Sequence, residues 1–189
     1  MRGALLLAAG LLAACGYHLP GQDLPAGAHT ISIRLFANHT REHGLEVRLR
    51  RAIEDEFRRR GPLRVVAELE GDLVLSGDIR NLTSRPVASS ATDEAVQYQS
   101  VIRVGMRLTE RESGRTLRET KALQESQDFG VVSGVVITSS PHFQRGTLDS
   151  RDLANLTNVQ IGETGRRDAL RDLLDQLARD VYQQAMEAF

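Results

Sequence analysis

One cysteine, one lysine and no tryptophan occur in the 189 residues. A lone cysteine cannot close an internal disulfide, and it removes cysteine-based zinc sites and paired-thiol chemistry. Aromatic residues make up only 4% of the chain, so any core must be largely aliphatic. Charge of neither sign dominates: 24 basic residues face 25 acidic ones, for a formal net charge of −1. No global field therefore draws the protein to nucleic acid or to anionic lipid. The 23 arginines against Lys121 need no explanation beyond genomic base composition. Catalytic patterns are missing too. The chain holds no phosphate-cradling G-x-x-x-x-G-K-[ST], no G-x-S-x-G elbow and no H-E-x-x-H. His39 and His43 stand four apart, a spacing that can hold a metal, but no third ligand accompanies them and they read as exposed residues at a helix start. Acidic residues sit mostly beside arginines, which does not indicate a general acid/base pair. The N-L-T triplets at 81 and 155 fit a glycosylation pattern that carries little weight here. No cofactor is indicated. These absences favour binding or assembly over catalysis.

What is present begins at the first residue. Arg2 supplies a positive start, Gly3 to Leu12 form a brief apolar run, and Ala13 and Ala14 precede Cys15. That is the layout of a secretory signal peptide, and the run is too short to cross a bilayer. Leu12-Ala13-Ala14-Cys15 resembles the bacterial lipobox, in which the cysteine sulfur receives a diacylglyceryl group, cleavage falls just before it and the new amine is acylated. Position, flanks and the absence of other cysteines all agree, against a chance cysteine behind an ordinary signal peptide. Three acyl chains exceed the two-signal requirement for stable anchoring. Gly16 in place of an aspartate after the cysteine favours export to the outer membrane. Residues 1–14 are thus expected to be removed, leaving 175 residues, a natural size for one domain. Residues 15–29, with two prolines and three glycines after the cysteine, read as a lipidated tether.

Residues 30–189 read as the folded domain. "TISIRLF" places Ile31, Ile33 and Leu35 on one face of a strand. "NHT" is a turn whose Asn38 or Thr40 can cap a helix, and from Glu42 to Arg60 the residues Leu45, Leu49, Ala52, Ile53 and Phe57 make one apolar stripe ended by Gly61 and Pro62. The arginines at 58–60 follow acids four residues earlier and read as a solvated helix face. "LRVV" is a candidate short strand, and "DLVLSGDIRNLTS" a longer one with Gly77 as a possible bulge. From Ala95 to Thr109 one parity carries Val96, Tyr98, Ile102, Val104, Met106 and Leu108, the other Gln97, Gln99, Arg103 and Arg107. "ERESGR" turns through Gly114, and "TLRETKALQESQDF" returns as a more polar strand. Residues 130–163 read as a long connection of uncertain structure. Thr164 is the expected cap of a last helix striped by Leu170, Leu173, Leu174, Leu177, Val181 and Ala185. The pattern predicts an α+β two-layer sandwich: a mainly antiparallel sheet of about four strands, with two helices on one face and the other face free.

Several stretches together resemble one family, the LPS-assembly lipoproteins LptE. "CGYHL" after the lipobox is similar to its mature start. "IRLFANHTREHGLEVRLRRAIEDEFRRRGPLRVV" is similar to its first strand and helix, with the F-x-N-x-T turn and the helix-ending glycine. "DLVLSGDIRNL", "VQYQSVIRVGMRLTERESGRTL" and "RRDALRDLLDQLARDVYQQAM" follow in the family's order. The resemblance implies a non-enzymatic outer-membrane lipoprotein on the periplasmic side. Its implied partners are an LptD-type β-barrel, which it plugs and helps assemble, and lipopolysaccharide on its way to the outer leaflet. Strand parity nominates Arg80, Arg85, Arg103 and Arg107 as contacts to lipopolysaccharide or barrel, since arginine forks match phosphate oxygens. Solvating an exposed sheet face accounts for each of them equally well. Two other classes stay open at the level of sequence: a lipoprotein of similar sandwich fold that activates a cell-wall synthase or serves a secretion complex, and a periplasmic enzyme without a recognisable motif.

Mass analysis of the native N-terminus is expected to show a chain starting at Cys15 and carrying fatty acyl groups. An unmodified thiol, or cleavage elsewhere, would contradict the lipobox reading.

Overall fold

The computed structural model describes residues 27–89, 95–130 and 150–189; of 95–96 and 150–162 it describes the backbone alone. Among these residues six strands form one sheet: β1 (Thr30–Ile33), β2 (Ala37–Asn38), β3 (Arg64–Val66), β4 (Leu73–Ser89), β5 (Ala95–Glu110) and β6 (Thr116–Gly130). Among the described residues two helices accompany it, α1 (Leu45–Arg60) and α2 (Ser150–Met186). The α+β architecture of the sequence reading is present. The order across the sheet is β3-β1-β4-β5-β6, with β2 also beside β4. The strands beyond the expected four are the short ones, and β1 pairs in parallel with both β3 and β4. The long strands β4, β5 and β6 form an antiparallel meander.

The strict alternation of β5 decides which face is covered. Ile102, Val104, Met106 and Leu108 are buried, while Arg103 and Arg107 between them are exposed. Leu73, Leu75 and Ile79 of β4 join the same core. Above them lie Leu49, Ile53 and Phe57 of α1, and Leu170, Leu173, Leu174, Leu177 and Val181 of α2. The helices run in the same direction: Glu42, just before α1, pairs with Arg166 at 3.2 Å, and Phe57 meets Tyr182 edge-on at 5.0 Å. No helix among the described residues is long and apolar enough to cross a membrane. Ala28 already belongs to the core, so the last residues of the expected tether are part of the domain.

Several local readings are corrected. Helix α1 starts at Leu45 rather than Glu42, because Gly44 adopts φ 75, in the left-handed region, and interrupts the helical path. Asn38 and Thr40 order the preceding turn instead of capping: Asn38 Nδ2 donates to the Glu42 carbonyl and to Glu46 Oε2, and Glu42 N donates to Thr40 Oγ1. Leu35 is exposed, since β1 ends at Ile33 and the chain turns to bury Phe36. Helix α2 begins at Ser150, so Thr164 lies within its body, and residues 150–163 of the expected connection are helical. The rest of that connection, 131–149, lies outside the described residues. Of the acids expected on a solvated helix face, Glu56 is fully buried, and Arg59 and Arg60 close over its carboxylate.

One contact between sheet and helix is sensitive to pH. The Glu125 carboxyl of β6 is pushed up to about 7 by its hydrogen bond with Asp180 of α2, then by burial and by the Asp180 charge, against a smaller opposing pull from Arg179. Between its ordinary range and about 7, the folded protein retains a proton that the unfolded chain releases. The stability this gives is complete below about pH 4.5 and is lost as the pH rises through 7. Glu125→Gln is therefore expected to raise the melting temperature at pH 8 and to flatten its dependence between pH 5 and 8. An unchanged slope in the variant would show that this pair does not titrate as described.

Candidate functional site

The face of the sheet opposite the helices carries the nominated arginines. Cross-strand register sets Arg107 opposite Glu119 of β6, Arg103 opposite Gln124, and Arg85 of β4 opposite Gln99. Arg107 Nη2 donates to Glu119 Oε1 at 2.9 Å, Arg103 Nε to Gln124 Oε1 at 2.6 Å, and Arg85 Nη2 to Gln99 Oε1 at 3.0 Å. The fourth arginine owes its place to a bulge. Ile79 pairs with Val104 and Asn81 with Arg103, which leaves Arg80 as the extra residue. The bulge lies here, not at Gly77 as the sequence suggested. Arg80 Nε bonds Asp78 Oδ2 at 2.8 Å.

Glycine shapes the surface beneath this pair. A side-chain carbon on Gly105 would lie 2.6 Å from Asp78 Oδ1 and 3.0 Å from Arg80 Nη2, so the bare backbone lets the ion pair lie flat on the sheet. The result is a concavity of about 240 Å³ lined by Asp78, Arg80, Gly105, Arg107, Glu119 and Lys121. The Arg107 hydrogen bond, and then its charge, hold the Glu119 carboxyl below the usual carboxylate range.

The four arginines are not equivalent. Arg80 and Arg107 are neutralised by adjacent carboxylates, whereas Arg85 and Arg103 bond only neutral amides. Among the described residues Lys121 makes no ion pair. The structure brings Arg80 and Arg107 together around the concavity, with Arg103 and Arg85 following along the sheet toward its far end. Lys121 is the cation that sequence reasoning passed over, since the register between β5 and β6 decides where it falls. No group of three histidine, cysteine, aspartate or glutamate side chains among the described residues could hold a metal. Cys15 lies outside the described residues. The arrangement suits recognition of anionic groups by guanidinium forks and an ammonium, and the described face carries no nucleophile–base pair.

Residues 28–185 match the model of a family described as LptE, lipopolysaccharide-assembly. No curated protein matches the chain. Among solved structures, a protein from Xanthomonas campestris has 13% identity and a TM-score of 0.48, covering 87% of this chain and 90% of its own. A minor lipoprotein from Acinetobacter baumannii has 13% identity and a TM-score of 0.42, covering 84% and 92%. An uncharacterized lipoprotein B from Nitrosomonas europaea has 16% identity and a TM-score of 0.41, covering 91% and 96%. Likeness at this level carries no functional argument.

The two close glycines of this region are expected to differ on substitution. A side-chain carbon on Gly77 would meet the Gly105 carbonyl at 2.2 Å and the Phe36 ring at 2.3 Å, neither of which can step aside cheaply. Gly77→Ala is expected to cost about 1–3 kcal/mol in denaturant unfolding. Gly105→Ala meets the ends of flexible side chains first and should cost less. Equal losses would contradict this account of the packing.

Proposed function

The chain belongs to the LptE family of lipopolysaccharide-assembly proteins, and from that premise we propose that it is an outer-membrane lipoprotein serving lipopolysaccharide transport. In this reading Cys15 carries the lipid anchor on the periplasmic side. The domain occupies and helps assemble an LptD-type β-barrel, and it engages lipopolysaccharide there. The role is binding and assembly rather than catalysis.

The observation that carries the lipid-binding part is the uneven neutralisation of the free sheet face. Its helix-covered side is committed to the core, so only this face offers a broad surface of long strands. On it Arg80, Arg85, Arg103, Arg107 and Lys121 face Asp78, Glu119 and Asp128, a local surplus of cations in a chain whose net charge is −1. Arg103 gives up no carboxylate to bind a phosphate. Arg107 exchanges Glu119 for one, and an exposed ion pair of this kind is worth only about 0–1 kcal/mol.

The test replaces Arg103 and Arg107 together by glutamate in the native lipoprotein. Lipopolysaccharide affinity is expected to fall about tenfold or more, as for the loss of two charge-assisted contacts. The thermal transition should move little, because exposed charges usually change stability by under about 0.5 kcal/mol. Retained copurification of the barrel alongside lost lipid binding supports direct contact with lipopolysaccharide. Unchanged lipid affinity would refute the assignment of this face, and lost barrel copurification would assign it to protein packing.

A further inference from the structure

A second charged site lies on the opposite side of the molecule, in the seam between α1 and α2. Because the helices run in the same direction, their charges line up in the same order. Arg48 and Arg51 of α1 and Arg167 and Arg171 of α2 line one groove of about 410 Å³, followed toward the helix C-termini by Asp55 and Asp175. Ala52 and Leu174 form its apolar floor.

The charges that line the groove do not pair with one another across the seam, although Glu42 at its entrance also bonds Arg166 of α2. Arg48 pairs with Glu42, Arg167 with Glu163, Arg171 with Asp168, and Asp55 with Arg58, all partners on their own helix or its leading turn. Among the described residues Arg51 and Asp175 have no ion-pair partner, although both line the groove. Each helix offers an arginine and, four residues on, an aspartate: Arg51 with Asp55, and Arg171 with Asp175. Four residues are about 6 Å of helical rise. The groove is thus a dipole with a cationic end and an anionic end.

We propose that this seam binds a zwitterionic phosphate–amine group of the phosphoethanolamine class. The arginine forks take the phosphate oxygens, and the aspartates take the ammonium joined to them by a two-carbon bridge. A simple anion satisfies only half of the groove. An extended acidic peptide would run its later carboxylates into Asp55 and Asp175, so a compact zwitterion is the better match. The group could come from a phospholipid headgroup or from a small soluble compound, since the recognised chemistry is the same.

Titration calorimetry of the full chain, as the native lipoprotein in a neutral detergent, tests the site with O-phosphorylethanolamine, inorganic phosphate and ethanolamine. Saturable binding of phosphorylethanolamine is expected, with phosphate about tenfold weaker, as for the loss of one charge-assisted contact. Arg51→Gln with Arg171→Gln should weaken binding about tenfold or more without moving the melting temperature, because both side chains are exposed. Asp55→Asn with Asp175→Asn should leave phosphate binding in place and erase the preference for the amine. Short-chain phosphatidylethanolamine, compared with phosphatidylglycerol of equal chain length, separates the sources. Selective binding of the former supports a lipid headgroup, and its rejection while the free compound binds supports a soluble ligand. Absence of saturable binding by both the free compound and the short-chain lipid would overturn the proposal. Affinity unchanged by the arginine substitutions would overturn it equally.

Discussion

Burial on one side of the sheet is the constraint from which the rest of the structure follows. The period of a strand is two, so once Ile102, Val104, Met106 and Leu108 are committed to the helices, Arg103 and Arg107 have no choice of side. Both helices lie over that one face, and the aliphatic core of an aromatic-poor chain is concentrated there. Charges taken into this layer must be paired to be tolerated. Glu56 illustrates the rule: its side chain is fully buried, and two consecutive arginines from the last turn of α1 hold it. The opposite face inherits what the core excludes, which is why it collects the arginines, the lysine and the amides of three long strands.

Two features then turn a flat polar sheet into a shaped one. The bulge at Arg80 adds a residue to β4 where β2 stops pairing with it, at Ile79. The bare backbone at Gly77 and Gly105 does the complementary work. Gly77 lets the Phe36 ring press against the core side of the sheet, and Gly105 leaves room for the Asp78–Arg80 pair on the other side. The base of the domain is fastened separately. Arg111, at the turn after β5, donates to the backbone carbonyls of Gly71 and Glu68 and to Ser32 Oγ, while Asp72 accepts from the backbone of His29 and Thr30 and from the Thr30 hydroxyl. The loop entering β4 is therefore tied to β1 from both sides, and the long strands project from a fixed root.

The strands and helices that run longest were the most legible in the sequence. In β5 the alternation from Gln97 to Leu108 is unbroken, β6 alternates on either side of its bulge at Lys121, and Gly114 at φ 67 supplies the turn between them, so parity alone placed Arg103 and Arg107 outward. The short parallel strands were harder, because three or four residues hold too little pattern to fix a partner. Helix ends were misplaced for a similar reason. The apolar stripe begins at the true start of α1, Leu45, but the polar residues before it carry no mark of the boundary other than the backbone angle of Gly44, and the stripe is too weak near Ser150 to announce the start of α2. Lys121 was missed because its role depends on the register between β5 and β6 across a bulge. The helix seam was invisible for a stronger reason: Arg51 and Asp175 are brought to one groove only by the packing of two helices distant in sequence.

Near-neutrality of the whole chain conceals how its charge is arranged. At physiological ionic strength the field of an exposed charge fades over about 8 Å, so a net charge of −1 says little about any one surface. Along β5, Arg103 and Arg107 are separated by about 13 Å of extended strand. At that distance they neither repel each other appreciably nor act as one patch. Each is a separate contact, joined to the other only through a ligand that spans both. A single small phosphate reaches only one of these two arginines, whereas a ligand with two phosphates on a rigid frame reaches both, and the second contact forms at high effective concentration. On the function proposed above, this spacing suits large, multiply phosphorylated ligands. The helix seam, with its four arginines gathered in one groove and closed off by two aspartates, favours small ones.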